Sequence, residues 1–351
     1  MGRLAFNNDV VRAVDQAEVV FNTVGTPPRP DGDVDLSQIY AVIDLVAEAL
    51  KSYKVIVTMS TVPVGTNRAI VKRLRESGVK SEFDVVSNPE FLREGKTLHD
   101  FFHPDRIVIG FESERARAMM SEIFRPLYLI ERPFVWCGLE TAELIKYASN
   151  GFLATKITYI NQIANLCEAV GADVHTVAKA IGMDGRIDSK FLHPGPGFGG
   201  SCLPKDASAL VKMGERYSVE MSVIREVLRA NREQPLRISS KLERMLGTLH
   251  GRTIAVLGLA YKADTDDARD SRAIAIIEHL VSRGGRIQAH DPKAIENFWM
   301  VCSEGVSFFD NEFEALKGAD AVVFCTEWNE YRNIDLSRMK HLMRGRNVVD
   351  A

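Results

Sequence analysis

The chain has 351 residues, 46% hydrophobic and 26% charged, the composition of an ordinary globular protein large enough for two or three domains. A net charge of −3 gives no sign of nucleic-acid binding, and without an apolar run of about 18 residues or a signal peptide we expect no membrane partner. The five cysteines are odd in number and form no C-x-x-C pair, which argues against a disulfide framework or a zinc site and favours the cytoplasm.

Strands and helices alternate over the first part of the chain, which predicts an α/β domain with a parallel sheet. The predicted strands are 18–24, 54–59, 83–86 and 106–110. The predicted helices are 9–17, 36–52, 68–77 and 113–124.

The middle of the chain is predicted to be helical. A long helix over 139–170 contains no proline and only Gly151 as a glycine, and its apolar residues lie on more than one stripe. Such a helix suits a connector between domains or a dimer interface, with Ile157 and Ile160 facing a partner chain. Burial of the whole helix within one subunit is the alternative. Shorter helices are predicted over 174–181, 207–213 and 222–245.

The α/β pattern then returns in the last part of the chain. Its predicted strands are 253–258, 286–290, 319–324 and 347–349, with a helix over 273–283. We therefore predict an α/β region, a helical region and a second α/β region, in that order.

A glycine-rich segment that ends in a cysteine carries the strongest chemical signal. Ser201 is a suitable N-cap for the following helix, which places Cys202 at a helix N-terminus where the dipole favours a thiolate. Lys205 is close by, and Asp206, four residues after the cysteine, projects from the same face. The pattern predicts a nucleophile beside a water-positioning acid, and a buried cysteine at an ordinary helix start is the alternative.

The same segment satisfies the dinucleotide pattern G-x-G-x-x-G with Gly195, Gly197 and Gly200. Residues 187–194, however, do not have the pattern of a buried strand that leads into such a turn. We therefore interpret the glycines as a loop whose backbone approaches a ligand closely.

Residues typical of binding sites follow three predicted strands of the first domain, at 24–27, 60–66 and 88–95. Ligands gather at the carboxyl ends of strands in an open parallel sheet, so these segments together predict a site. In the third segment, Glu90 and Glu94 are predicted to share one helical face.

Two further groups could take part in chemistry. Lys146 and Asn150 are one turn apart within the long helix, and the charged segment 262–271 follows a strand end of the last domain. A solvated lysine and a solvated loop are the alternatives. Neither the aspartates at 31–35 nor the His99 and His103 pair matches a metal-binding motif, so we predict no metal.

These motifs together resemble the UDP-glucose/GDP-mannose dehydrogenases, NAD-dependent enzymes that oxidise a nucleotide-sugar at C6. The resemblance covers essentially the whole chain, and its markers are the segments 24–27, 60–63, 88–95, Lys146 with Asn150, 199–206 and 258–271. It implies α/β architecture with two Rossmann-like parallel-sheet domains joined by a helical dimerisation region with a long central helix. The implied domains are 1–135 for NAD, 136–248 for dimerisation and 249–351 for the nucleotide-sugar.

The resemblance also implies a role for each matched residue. Cys202 captures the aldehyde as a thiohemiacetal, which is oxidised to a thioester and hydrolysed. Lys146 acts as general base or oxyanion stabiliser, and Asn150 helps to hold the oxyanion. Asp206 and Thr61 orient a water molecule, and Glu90 resembles the acid/base of hydrolysis.

Further matched residues are implied to bind the cofactor NAD or the substrate. The cofactor-binding set is Val24, Gly25, Thr26, Pro27, Ser60, Thr61, Glu94, Ser201 and Arg269. The substrate-binding set is Glu90, Phe91, Leu92, Arg93, Glu94, Lys146, Asn150, Arg186, Phe191, His193, Gly195, Gly197, Phe198, Gly199, Lys262 and Arg346. Arg186 is implied to reach the substrate of a neighbouring subunit in a homodimer or higher homo-oligomer.

The chain departs from the family at its ends. Family members begin with a strand, a G-x-G-x-x-G turn and a helix, so we expect an incomplete N-terminal domain and a fragment cut at both ends. Segment 184–197 looks most like UDP-glucose dehydrogenases, with GDP-mannose as the alternative substrate. An inactive module that only binds nucleotide-sugar or dimerises is the alternative from another functional class.

Overall fold

The computed structural model describes residues 4–351, apart from the side chain of Tyr128. The described chain forms two compact units. The first contains the residues up to Ser149 together with Ser208–Glu220, and the second contains Asn150–Ala207 and Met221–Ala351. Two helices, α7 (Leu139–Val170) and α9 (Leu203–Arg216), contribute residues to both units.

The first unit is built on the alternating strands and helices that the sequence predicts. Its strands are β1 (Val19–Asn22), β2 (Lys54–Thr58), β3 (Phe83–Ser87), β4 (Ile107–Gly110) and β5 (Phe134–Cys137). Its other helices are α1 (Val10–Gln16), α2 (Ser37–Ala49), α3 (Thr66–Glu76), α4 (Thr97–Phe102), α5 (Glu114–Ile123) and α6 (Arg125–Tyr128).

The first sheet has the order β1-β2-β3-β4-β5. Strands β1, β2 and β3 pair in parallel, as do β4 and β5, but β3 meets β4 in the antiparallel sense at Ser87 and Gly110. The prediction of a wholly parallel sheet is therefore wrong at this junction. Parallel crossovers usually run through a long helix, whereas the connection from β3 to β4 contains only the short helix α4.

Apolar residues cover both faces of the first sheet, as a sheet flanked by helices requires. Ile56 and Val85 face a core formed with α1, α2 and α3. Val55, Val57 and Val86 face a second core, which α5 completes. This packing leaves the loops at the carboxyl ends of β1, β2 and β3 free to carry polar groups.

The second unit combines a helical part with an all-parallel sheet. Its other helices are α8 (Val174–Gly182), α10 (Ser222–Leu246), α11 (Arg272–Ser282), α12 (Ile295–Trp299), α13 (Glu312–Leu316), α14 (Asn329–Arg332) and α15 (Leu336–Leu342). Its strands are β6 (Thr253–Leu257), β7 (Arg286–His290), β8 (Val306–Phe308), β9 (Ala321–Phe324) and β10 (Asn347–Asp350). They pair in the order β10-β9-β6-β7-β8, and α10 and α11 pack on the core of this sheet.

The long helix has the predicted bounds, but one assignment of its faces is wrong. Ile160 was expected to face a partner chain, and it is instead fully buried against Ala178 and Leu192 of its own chain. The sequence prediction also missed β5, β8 and the short helices α4, α6 and α12–α15, which contain too few residues to show a period. Among residues 4–351, no helix has the length and apolarity that a membrane-spanning helix needs.

Candidate active site

Cys202 lies immediately before helix α9, in the second unit. The helix begins at Leu203 rather than after Ser201, so the cysteine itself occupies the position that precedes the first helical residue. The Cys202 carbonyl accepts a hydrogen bond from the Asp206 N–H at 2.9 Å, and the thiol is exposed, 3.6 Å from Ser201 Oγ. The positive end of the helix dipole therefore lies beside an accessible sulfur, as the sequence predicts.

Asp206 is held from two sides within the second unit. Its Oδ2 accepts from Asn150 Nδ2 and its Oδ1 from Lys205 Nζ, both at 2.6 Å. The Asp206 side chain is 1% exposed and that of Lys205 13%. Because each carboxylate oxygen has a donor, the acid has a fixed orientation one helical turn after the cysteine. The sequence predicted this acid but not its contact with Asn150.

The first unit contains a second lysine–carboxylate pair. Lys146 Nζ donates to the Glu90 carbonyl at 2.6 Å and to Glu90 Oε1 at 3.1 Å. The lysine side chain is 5% exposed and the Glu90 side chain 26%. The ammonium also lies 5.3 Å from the centre of the Phe91 ring, which the Arg106 guanidinium stacks on at 3.5 Å. A buried ammonium requires such partners, and they fix its position.

Glu90 and Glu94 do not share a helical face, contrary to the sequence prediction. Residues 88–96 form an irregular loop, and the helix α4 begins only at Thr97. Glu90 Oε2 accepts from the Leu92 N–H at 2.5 Å, a local bond that competes with helix formation.

Asp100 fixes the far end of this loop. It accepts from the Arg93 N–H at 3.0 Å and from its guanidinium at 2.6 and 2.8 Å. The Arg93 guanidinium and N–H hold the pKa of the Asp100 carboxyl well below its usual range. Arg93 is thus tied to its own loop, and Asp100 is a structural residue that the sequence prediction missed.

The segments after β1 and β2 are joined to each other. Ser60 Oγ donates to the Val24 carbonyl at 2.7 Å, and Thr26 Oγ1 donates to the Thr61 carbonyl at 3.0 Å. The predicted cofactor-binding residues of these two segments therefore form one surface of the first unit. This agrees with the rule that ligands bind at the carboxyl ends of parallel strands.

The last residues of β1 and β2, directly before these loops, have buried polar side chains. Asn22 and Thr58 are partners in the β1–β2 register. Within the described residues, neither the Asn22 amide nor Thr58 Oγ1 has a hydrogen-bond partner. Buried polar atoms without partners cost free energy, so this edge of the sheet is suited to a ligand that supplies donors and acceptors.

The glycine loop before Cys202 packs against its own chain, a requirement for glycine that the sequence interpretation did not include, and its approach to a ligand stays a prediction. A Cβ on Gly200, whose φ is +80°, would lie 2.6 Å from the Tyr261 ring. A Cβ on Gly199 would lie 2.3 Å from the Asp270 carbonyl. The Gly200 N–H donates to the Arg269 carbonyl at 3.1 Å. These glycines are required because the loop docks on segment 261–270 of the same unit.

Side-chain amides of two helices hold the start of the same loop. Asn161 on α7 accepts from the Gly195 N–H at 2.8 Å. Asn231 on α10 accepts from the Phe198 N–H at 2.8 Å and donates to its carbonyl at 2.9 Å. The Phe198 side chain is buried among apolar residues, and Asn231 occupies both polar groups of its backbone, so the whole residue is fixed in place. Neither asparagine was predicted from the sequence.

The other predicted ligand contacts lie at the surface or in salt bridges. Arg186 pairs with Asp184 at 2.6 Å with its side chain 89% exposed, and Arg269 pairs with Asp267 at 2.8 Å. Lys262 Nζ lies 5.3 Å from the centre of the Tyr261 ring. His193 and Arg346 are exposed, and Phe191 has a positive φ of 64°. That these six residues bind cofactor or substrate stays a prediction.

Glu143 is a buried residue near Lys146 that the sequence prediction missed. It precedes Lys146 by three residues and Asn150 by seven on α7, a spacing that places all three on one helical face and could have identified it. Across residues 4–351, His, Cys, Asp and Glu side chains form no group of three or more able to hold a metal ion. The absence of a metal stays a prediction.

Comparison with known proteins gives matches along the chain. Residues 1–128 match the NAD binding domain of the UDP-glucose/GDP-mannose dehydrogenase family, residues 140–233 its central domain and residues 255–351 its UDP binding domain.

Individual relatives agree with this result. A UDP-glucose 6-dehydrogenase of Rhizobium meliloti is 47% identical, over 99% of this chain and 80% of the relative. The UDP-glucose 6-dehydrogenase TuaD of Bacillus subtilis is 41% identical, over 99% and 75%. The structure of a UDP-glucose dehydrogenase from Pyrobaculum islandicum superposes with a TM-score of 0.92 at 37% identity, covering 99% of this chain and 83% of that one.

The chain spans 75–83% of the length of these three relatives, and its predicted shortening at both ends stays a prediction. The predicted α/β architecture, with an α/β region, a helical region and a second α/β region in chain order, is confirmed, and the antiparallel β3–β4 junction is the departure from parallel pairing in the first sheet. The chain belongs to the UDP-glucose/GDP-mannose dehydrogenase family.

Proposed function

We propose that this protein oxidises UDP-glucose to UDP-glucuronate with NAD⁺ as the oxidant. The observation that carries the proposal is the exposed thiol of Cys202 at the start of α9, followed by an Asp206 carboxylate that Asn150 and Lys205 hold in place. This arrangement suits covalent capture of an aldehyde and hydrolysis of the resulting acyl group. The UDP-glucose dehydrogenases among the relatives support the choice of substrate.

The first unit fits the cofactor NAD. The unpartnered amide of Asn22 and hydroxyl of Thr58 provide polar atoms beneath the loops that carry Val24–Pro27, Ser60 and Thr61. We propose these loops as the main cofactor contacts, with Glu94, Ser201 and Arg269 as further ones. The bound cofactor supplies a hydride acceptor, and two NAD⁺ are consumed for each substrate oxidised from alcohol to carboxylate.

Lys146 is proposed to act on the substrate oxygen. Its ammonium is buried and held by the carbonyl and carboxylate of Glu90. In this position Lys146 can accept the proton of the C6 hydroxyl when it is neutral and stabilise an oxyanion when it is charged. Asn150 is proposed to share the second role, with its amide oriented by Asp206.

Cys202 is proposed to carry the carbon between the two oxidations. Its sulfur adds to C6 of the aldehyde to form a C–S bond, and loss of a hydride and a proton turns the thiohemiacetal into a thioester. Water oriented by Asp206 and Thr61 then attacks C6, the C–S bond breaks, and the thiolate leaves. Glu90 takes the proton from this water. The net reaction consumes one water and two NAD⁺ and releases two NADH and three protons.

We further propose a homodimer that forms through α7. Phe152, Tyr159 and Leu166 are exposed at seven-residue intervals, so these apolar side chains form one stripe along the helix. This stripe replaces the partner-facing surface expected around Ile160, and the exposed Arg186 is available to a neighbouring subunit. Light scattering tests the dimer, with Leu166→Glu expected to give a monomer; a wild-type monomer at micromolar concentration contradicts it.

The remaining assignments of the sequence analysis are proposed on the same resemblance. The domain boundaries are 135/136 and 248/249. The proposed substrate contacts from the second unit are Arg186, Phe191, His193, Gly195, Gly197, Phe198, Gly199, Lys262 and Arg346. The five cysteines are all free thiols, which supports a cytoplasmic location.

The direct test is the stoichiometry of NADH against product. Purified protein with limiting UDP-glucose and excess NAD⁺ is expected to give two NADH per UDP-glucuronate, and no reaction with GDP-mannose. One NADH per substrate, with free aldehyde as product, would contradict the covalent mechanism. Turnover of GDP-mannose alone would support the alternative substrate. Binding of UDP-glucose without any NADH would instead identify an inactive binding module.

A further inference from the structure

Glu143 is a buried carboxylate that the reaction described above does not use. It lies on α7 within the first unit and is 2% exposed. Its Oε2 accepts from the Gly65 N–H at 2.7 Å, and its Oε1 accepts from the N–H and Nδ2 of Asn67, both at 2.8 Å. The carboxylate therefore joins α7 to the start of α3.

The start of α3 needs a partner from elsewhere in the chain. Its N-cap is Gly65, in the left-handed region with φ +92°, and a glycine has no side chain to cap the first N–H groups. Glu143 supplies the missing acceptor, with a charge that favours the helix N-terminus. Burial nevertheless raises the pKa of Glu143, so the charged form bears a desolvation cost that a neutral capping residue would avoid.

The Glu143 hydrogen bonds join two elements that both carry residues of the proposed reaction, the loop before α3 and the helix α7. The loop between β2 and α3 carries Ser60 and Thr61, and its first residues are tied to the β1 loop by the Ser60 bond to Val24. Its far end, at Gly65, is tied to Glu143. Three residues after Glu143 on the same helix, Lys146 is tied to Glu90.

We propose that Glu143 is a positioning residue that fixes the loop carrying Ser60 and Thr61 relative to the helix carrying Lys146. The inference rests on the proposed function, because that function gives the loop its cofactor contacts and Lys146 its chemistry. Glu143 acts through the Gly65 and Asn67 amides and does not itself contact a ligand. Its effect should therefore appear in NAD binding and in the mobility of the loop, and not in the binding of UDP-glucose.

The test is Glu143→Gln, which keeps the size of the side chain but replaces one acceptor oxygen with a donor. Calorimetric titration is expected to show about tenfold weaker NAD⁺ binding, with UDP-glucose affinity within about twofold of wild type. Hydrogen exchange of the segment 60–67 is expected to become about tenfold faster. If this variant does not fold, Asn67→Ala removes only one of the three donors and should change NAD⁺ affinity about threefold in the same direction.

Asp320→Asn is the matched control. Asp320 is also a buried carboxylate, which accepts from the Thr253 N–H and the Arg344 guanidinium at the amino ends of strands in the second unit. This control is expected to lower the thermal midpoint while NAD⁺ affinity and exchange at 60–67 stay unchanged.

The proposal is overturned if Glu143→Gln behaves like the control, with a lower thermal midpoint but wild-type NAD⁺ affinity and exchange at 60–67. A different result is that the wild-type protein does not oxidise UDP-glucose, while Glu143→Gln still binds NAD⁺ more weakly than wild type does. That result would contradict the proposed activity and support the positioning of the loop by Glu143.

Discussion

The first and second units each contain one lysine–carboxylate pair, and the more buried member is the lysine in the first and the carboxylate in the second. In the first unit Lys146 is 5% exposed and Glu90 26%, whereas in the second unit Lys205 is 13% exposed and Asp206 1%. A more buried charge depends more on its partners, because water cannot replace them. Each pair therefore has one fixed member, a cation in the first unit and an anion in the second, and one member that solvent or substrate reaches.

This difference assigns different tasks to two pairs of similar composition. A fixed ammonium suits the handling of a proton or negative charge on the substrate oxygen, and a fixed carboxylate suits the orientation of water. Lys205 then has a secondary role in holding Asp206, whereas Glu90 both holds Lys146 and takes the proton of the hydrolytic water. Substitution of the buried member should cost more activity than substitution of its partner in each pair.

The largest effect is expected for Lys146→Met compared with Lys205→Met. Loss of Lys146 removes the proposed acid–base group and should lower kcat by about 10³-fold, within the range for such groups. Loss of Lys205 leaves Asp206 with its Asn150 partner and should lower kcat by about tenfold. Steady-state NADH formation measures both, and similar losses for the two lysines would contradict the proposed division of tasks.

Asp206→Asn should show an intermediate effect of about 100-fold on kcat, because the oriented water loses its acceptor. A rapid burst of NADH should precede the slow phase, since both oxidations occur before hydrolysis. Glu90→Gln is the comparison in the other pair: it removes the proposed base of hydrolysis and should lower kcat by about 100-fold. The loss is smaller than for Lys146→Met because the Glu90 carbonyl still accepts from Lys146. A slow Asp206→Asn variant without a burst would place the defect before the thioester.

The smallest effect is expected for a third ion pair, Arg93 with Asp100, in which the acid is again the buried member. Because Arg93 is 60% exposed, Asp100→Asn should cost only about 1 kcal/mol of stability. It should raise the KM for UDP-glucose by several-fold, since the loop carrying Glu90 loses one anchor.

The pH dependence of this pair has a definite sign. The Arg93 guanidinium lowers the pKa of Asp100 in the folded protein, so its stabilisation is complete above the unfolded-state pKa of about 4. It is lost as the pH falls further, through the folded-state value. Hydrogen exchange at 90–96 in wild type should therefore be constant, after correction for the intrinsic rate, from neutral pH to about pH 4. An increase already at pH 6 would mean that another group holds the loop.

Local spacing in the sequence predicted the proximity of Cys202 and Asp206 but not the contact between Lys146 and Glu90. The absence of proline defined α7 from end to end, and the four-residue spacing of Cys202 and Asp206 survives a shift in the helix start. The contact between Lys146 and Glu90 joins residues 56 positions apart, so only the tertiary fold creates it. The resemblance identified both residues but not their hydrogen bonds.

Packing against distant parts of the chain explains what the sequence could not predict. Gly199 and Gly200 have the composition of a ligand-binding loop, yet their neighbours are Asp270 and Tyr261. Glu90 was placed on a helix because propensity ignores its bond to the Leu92 N–H. The spacing of Glu143 relative to Lys146 could have placed it on the same helical face, but its role as the cap of α3 appears only once α3 is known to start at a glycine.

The most direct test of the covalent mechanism is the mass of the tryptic peptide 191–205, which contains Cys202. The Asp206→Asn variant is mixed with UDP-glucose and NAD⁺, quenched in acid during the slow phase and digested. We predict that this peptide carries a UDP-glucuronyl group, and that it stays unmodified when Cys202→Ser is added to the variant. An unmodified peptide from a variant that has released two NADH per substrate would contradict the role of Cys202 as the nucleophile.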